Sequence, residues 1–180
     1  MNDLPKLLPN NLSIVGNAES LLASSYGSLI DQYPTVRFNR TQIINSQAQG
    51  KRWDYLASSE INTFEMYNKM PPPFHSLIFS PTKPEMVYKV KKVSFKCDIL
   101  YLPLQQSLDL QRTIGNVPST GLQILYYLDS INRRCVHIFG FDFKKTKTFY
   151  EIRNKGAHDW IKEERLIKEL VKKNSWNFYE

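Results

Sequence analysis

The chain has 180 residues, 42% hydrophobic and 23% charged, and 24 Lys plus Arg against 17 Asp plus Glu give a formal net charge of +7. These proportions belong to ordinary globular proteins and exclude collagen-like, low-complexity and disordered classes. A chain of this size buries on the order of 70% of its unfolded surface, so one domain over residues 1–180 is expected.

The N-terminal stretch is interrupted by Pro5, Asn10 and Asn11 before any apolar signal region forms, and no apolar run approaches the roughly 20 residues of a membrane span. A soluble, cytoplasmic protein is expected. Leu12–Gly16 reads as a short buried strand ending in a turn. Ser20–Ile30 reads as a helix, with Leu21, Leu22, Tyr26 and Leu29 near helical spacing. Val36–Phe38 is a second strand and Trp53–Ala57 a third. The run Met70-Pro71-Pro72-Pro73 reads as a loop, because proline breaks helices and central strands. Leu77–Phe79 and Asp98–Leu102 are strands closed by Pro81 and Pro103. Leu122–Leu128 is helical, and Val136–Phe139 is a strand that stops at Gly140. Trp160–Lys173 is a helix with an apolar stripe of Trp160, Ile167, Leu170 and Val171. Strands alternating with helices predict an α/β fold, a mostly parallel Rossmann-like sheet flanked by helices. Such sheets bind ligands at the carboxyl ends of their strands.

Three polar clusters fall at such ends. Gly16 and Asn17 follow the first strand, where an amide that donates and accepts suits a nucleotide. Read alone, Asn17 or Ser20 serves as a helix cap. Ser119, Thr120 and Gly121 open a helix, whose N-terminus favours an anion and equally accepts an ordinary Ser or Thr cap. His158-Asp159-Trp160 opens the last helix. Imidazole titrates near neutrality and suits a general base there. If both were helical, His158 and Glu163 would stand about 140° apart. His158 is therefore expected just before the helix, with Glu163 in its first turn. His137 lies in a buried strand and reads as structural. Cys97 and Cys135 adjoin strands and read as buried and inert. No D-x-D, H-E-x-x-H or Cys/His cluster indicates a metal. No G-x-G-x-x-G, P-loop or G-x-S-x-G pattern is present.

Taken in order, Ile14-Val15-Gly16-Asn17 with Arg37-Phe38-Asn39, Pro118-Ser119-Thr120-Gly121 with Phe139-Gly140-Phe141, Thr148-Phe149-Tyr150-Glu151, and His158 with Glu163 resemble the four motifs of the sialyltransferases of glycosyltransferase family 29. The resemblance implies a GT-A-variant-like fold and metal-independent, inverting transfer of sialic acid from CMP-sialic acid, or of Kdo from CMP-Kdo, to a hydroxyl of a glycan or lipid-linked glycan. It implies no cofactor. Under it, Gly16, Asn17, Asn39 and Tyr150 are nucleotide-site residues, Ser119, Thr120 and Gly121 hold the donor's phosphate or carboxylate, and His158 is the base. Animal members join the first two motifs by a disulfide. Leu12 and Arg133 stand near those cysteine positions here, which fits a reducing bacterial cytosol and a role in lipopolysaccharide or capsule synthesis.

Between Arg133 and Lys173 there are twelve Lys/Arg against six Asp/Glu. This segment is expected either to be a solvated face or to make peripheral contact with an anionic inner membrane. No RNP-type or helix-turn-helix signature indicates nucleic acid, and none is expected as a partner. The alternatives are a non-catalytic nucleotide- or nucleic-acid-binding module with a basic surface, or a degenerate glycosyltransferase that keeps only the fold.

Overall fold

The computed structural model describes residues 8–68, 74–95, 97–149 and 158–180. In chain order the elements are β1 (Asn11–Val15), a 3-10 turn (Glu19–Ala23), α1 (Gly27–Ile30), β2 (Thr35–Phe38), α2 (Ser46–Gln49), β3 (Tyr55–Ser58), α3 (Ile61–Asn68), β4 (Ser76–Phe79), α4 (Pro84–Lys91), β5 (Asp98–Tyr101), α5 (Leu104–Ile114), α6 (Thr120–Ser130), β6 (Cys135–Phe139), α7 (Trp160–Asn174) and β7 (Asn177–Tyr179). The seven strands form one sheet in the order β5-β4-β3-β2-β1-β6-β7, and every neighbouring pair is parallel.

The central strands are short apolar runs buried on both faces, as parallel sheets require. Alternate residues face opposite layers. Leu12, Ile14, Val36, Phe38, Ile78 and Leu100 meet Leu110 and Ile114 of α5, Leu122 and Leu125 of α6, and Ile167 and Leu170 of α7. On the other face, Leu56, Leu77 and Phe79 meet Tyr67 of α3 and Val90 of α4. Val15 and Phe139 meet Leu21 and Ile30. The result is an α/β sandwich of three layers with a parallel sheet in the middle. Among the described residues, no helix is long and apolar enough to cross a membrane.

Several local expectations change. The segment expected as one helix over Ser20–Ile30 is a 3-10 turn followed by a single α-turn. Neither Asn17 nor Ser20 caps it: Ala18 holds the cap position and makes no side-chain cap bond. The third strand runs from Tyr55 to Ser58 rather than from Trp53. Met70–Pro73 lies outside the described residues. Cys97 and Cys135 are half-buried free thiols, and burial pushes the Cys97 thiol up.

Arg37 lies mid-strand yet is fully buried. It faces the layer opposite Phe38. Its Nη2 donates to Gln49 O at 2.6 Å and its Nε to Arg52 O at 2.9 Å. Burial lowers its pKa to about 10, against the raising influence of Asp31 and Asp54. The guanidinium therefore clamps the 49–52 loop under the sheet.

The strand order reverses at β1. Successive strands add on one side of it until β5, and α5 and α6 then carry the chain to β6 on its other side. A crevice opens at such a switch point beyond the carboxyl ends of the two strands. Here those ends are Val15-Gly16 and Phe139-Gly140. Gly16 N donates to Phe139 O at 2.8 Å. A Cβ at Gly16 would stand 2.2 Å from Gly140 O and 2.9 Å from the Phe141 ring. The glycine is thus required by close approach, not by an unusual φ.

Gly16→Ala is expected to destabilise the protein by about 1–3 kcal/mol, the scale of overpacking a rigid site. Chemical denaturation of the variant against wild type checks this, with Leu22→Ala as a half-exposed control expected to lose less.

Candidate active site

The cleft at the switch point has a volume of about 350 Å³. The carboxyl ends of β1, β2, β3 and β6 form its floor. The amino ends of α6 and α7 form one wall, and the 141–149 segment forms the other. Gly16, Asn17, Asn39, Ser119, Thr120, Gly121 and His158 all line it. Tyr150 lies outside the described residues. Seven of the eight positions singled out from the sequence therefore converge on one cleft, although they span more than 140 positions in the chain.

Asn17 Nδ2 donates to Phe38 O at 3.0 Å, which holds the loop after β1 against the end of β2. Asn39 ends β2 with φ 54, a left-handed conformation that Asn tolerates better than most residues. Its Oδ1 accepts from Ser58 Oγ at 2.9 Å. Phe141 meets Phe38 edge-on, with ring centroids 5.8 Å apart. A Cβ at Gly121 would come within 2.7 Å of the Phe141 ring, so one aromatic side chain explains two of the predicted glycines.

Ser119 caps α6, its Oγ accepting from Leu122 N at 3.1 Å. The same residue donates twice to Glu163: N to Oε1 at 2.8 Å and Oγ to Oε2 at 2.5 Å. Glu163 is 1% exposed. Burial raises its pKa, the two Ser119 bonds pull it back, and nearby His158 lowers it further. Asp159 caps α7 by accepting from Lys162 N at 3.1 Å.

His158 precedes the helix, as expected. Its Nδ1 lies 2.7 Å from Val117 O. A carbonyl only accepts, so Nδ1 carries the proton and Nε2 keeps its lone pair. Glu163 Oε1 stands 3.9 Å from Nδ1. The angular separation expected for two helical residues is thus removed by the chain's turn ahead of α7. The His158 ring also meets Trp160 edge-on at 5.0 Å. Trp160 lines the cleft instead of serving as part of the buried stripe with Ile167 and Leu170.

Sequence reasoning missed Phe38, Asp142, Lys144 and Trp160 as cleft residues. The first and last carry no polar signal, and Lys144 is one lysine among many. His137, by contrast, is structural as expected: it is nearly buried, stacks on Tyr33 at 4.6 Å and meets Tyr179 Oη at 3.2 Å. Burial lowers its pKa. Among the described residues, no three His, Cys, Asp or Glu side chains come together so as to hold a metal ion.

The fold and cleft define a parallel α/β class with a ligand crevice at the switch point. No protein-family model and no curated protein sequence matches the chain. Solved structures do match. A mammalian sialyltransferase is similar with a TM-score of 0.70 at 20% identity, over 94% of this chain and 68% of that one. The structure of a mammalian sialyltransferase in complex with Gal-beta-1-3GalNAc-ortho-nitrophenol gives 0.70 at 19% identity, over 98% and 71%. The apo alpha-2,3-sialyltransferase from Campylobacter jejuni gives 0.62 at 15% identity, over 94% and 74%. The chain shares the fold of these enzymes.

Ser119→Ala removes a helix cap and one donor to a buried carboxylate, and is expected to destabilise by about 2 kcal/mol or more. The raised Glu163 pKa also has a sign for stability. A carboxyl that holds its proton more tightly when folded favours the fold at low pH. Stability is then lost as pH rises from the ordinary glutamate value through the raised folded one. Denaturation over that window should show this slope in wild type and a flatter profile in Glu163→Gln.

Proposed function

We propose that the chain is an inverting glycosyltransferase of family 29 type, which moves sialic acid, or the related acidic keto-sugar Kdo, from a CMP-linked donor to a hydroxyl of a glycan. The observation that carries this reading is the His158 Nδ1–Val117 O hydrogen bond. It leaves a basic Nε2 on a ring lining a cleft where the motif residues meet. The sialyltransferase fold of the structural neighbours supports it. An acceptor glycan is bound in one of those structures, which supports a glycan acceptor here.

In this mechanism the acceptor hydroxyl gives its proton to His158 Nε2. Its oxygen forms a bond to the anomeric carbon on the face opposite the nucleotide. The bond from that carbon to the phosphoryl oxygen breaks, and its electron pair leaves with CMP. The sugar passes through an oxocarbenium-like state. Charge develops on the departing phosphate and on the sugar carboxylate. The Thr120 and Gly121 N–H groups lie in the first turn of α6, where no intrahelical acceptor exists for them. They stabilise one of these anions at the positive end of the helix without a metal ion. Glu163 acts through Ser119 and His158: it holds the two helix starts in register and offsets the imidazolium that forms.

CMP at 100 times its dissociation constant is expected to stabilise the protein by about 2.7 kcal/mol. UDP and GDP should stabilise it far less in the same thermal-shift panel. Equal or greater stabilisation by GDP contradicts the assignment.

His158→Ala is expected to lower transfer by about 10²- to 10⁴-fold with CMP affinity nearly intact, as for loss of a general base. Transfer should persist in EDTA. Wild-type turnover in His158→Ala overturns the role of that residue, and CMP binding without any transfer by wild type leaves a non-catalytic nucleotide-binding module.

A further inference from the structure

The donor in the reading above carries two anions, a phosphoryl and a carboxylate, and the α6 N-terminus serves one of them. The 141–149 segment brings a cation to the same cleft. We propose that the Lys144 ammonium binds the phosphoryl group of the nucleotide and follows it as it leaves; this rests on the reading of the cleft as a CMP-sugar site.

Lys144 sits in a turn built for it. Phe143 and Lys144 both have left-handed backbones, with φ 56 and 64, an uncommon pair for side chains other than glycine. Asp142 holds the turn. Its Oδ1 accepts from Lys144 N at 3.0 Å, and its Oδ2 from Thr146 N at 2.8 Å and from Thr146 Oγ1. The turn carries Lys144 Nζ to Thr148 Oγ1 and to within 5.6 Å of the Trp160 ring centroid.

Two further contacts place this cation between the halves of the cleft. The segment is bonded to the loop after β1, through Phe149 N to Asn17 O at 3.3 Å and an antiparallel bridge between Ala18 and Thr148. Trp160, on the other side, adjoins His158. A donor with its nucleoside against the Asn17 loop and its anomeric carbon near His158 has its phosphoryl group between the two, where Lys144 reaches.

The cleft's carboxylates leave room for such an anion. Glu163 is engaged by Ser119, and Glu60 pairs with Arg40 at 3.6 Å. Asp142 is occupied by the N–H groups of its own turn. An ammonium is a compact point charge suited to phosphate. Lys172, exposed near the end of α7 and outside the cleft lining, serves as the control.

Calorimetric titration of the full chain with CMP and with cytidine tests the proposal. Wild type is expected to prefer CMP. Lys144→Met should reduce that preference about ten- to a hundred-fold, the scale of one charge-assisted hydrogen bond, with cytidine affinity unchanged. Lys144→Arg should restore most of it, and Lys172→Met should keep it. Lys144→Gly, whose backbone takes the left-handed φ without strain, gives the same readout if methionine disturbs the turn. A CMP-to-cytidine ratio unchanged in Lys144→Met and Lys144→Gly overturns the Lys144 assignment and leaves the CMP site standing. Wild type binding CMP and cytidine equally also overturns it. Wild type binding neither overturns the reading of the cleft itself.

Discussion

One serine and one buried carboxylate hold the site together. Ser119 donates its N–H and its hydroxyl to Glu163 while its Oγ caps α6. A carboxylate 1% exposed is costly to bury without compensation, and each charge-assisted hydrogen bond returns about 1.5–3 kcal/mol. The pairing joins the starts of two helices that come from distant parts of the chain. With α6 and α7 locked in this way, Val117 and His158 face one another, and the 2.7 Å bond between them sets the imidazole tautomer. The imidazole, the start of α6 and the cleft wall therefore depend on one contact.

Much of this was legible in the sequence. Interior strands of a parallel sheet are apolar on both faces, so β1, β4 and β6 stand out as short apolar runs closed by Gly or Pro. The Ser119 cap follows from residue type at a helix start, and the position of His158 ahead of its helix from the angle that would otherwise separate it from Glu163. Other features were not legible, for physical reasons. Ser20–Ile30 has helical spacing, yet Gly27 packs where a Cβ would stand 2.2 Å from Ser46 O, and the chain forms two separate turns. Arg37 breaks the apolar pattern of β2 because its partners, the carbonyls of Gln49 and Arg52, come from another loop. The amphipathic helix α5 begins just after Pro103, and a proline that closes the preceding strand conceals the helix start that follows it. The Ser119–Glu163 pairing spans 44 residues, beyond the reach of any local pattern.

The resemblance to animal sialyltransferases also pointed to a missing disulfide between the first two motifs. The same two segments are tied here by other means. Arg133 donates to Leu8 O at 2.9 Å and to Asn10 Oδ1 at 2.5 Å, and Trp176 Nε1 donates to Arg133 O at 2.7 Å. Hydrogen bonds thus join the entry of β1 to the loop before β6 at the end of the sheet remote from the cleft. At the opposite end, Phe141 presses on Gly16 and Gly121. The switch-point strands are held at both ends, which keeps the crevice open between them.

The reaction proposed for this cleft is inverting transfer from a CMP-linked acidic keto-sugar to a glycan hydroxyl. Proton NMR of a reaction containing CMP-sialic acid and a galactose-terminated acceptor tests it most directly, with CMP-Kdo in a parallel tube. CMP release matched by a glycoside of the anomeric configuration opposite to the donor's is expected. A product that retains the donor's configuration, or no glycoside from either donor across a panel of acceptors, would contradict it.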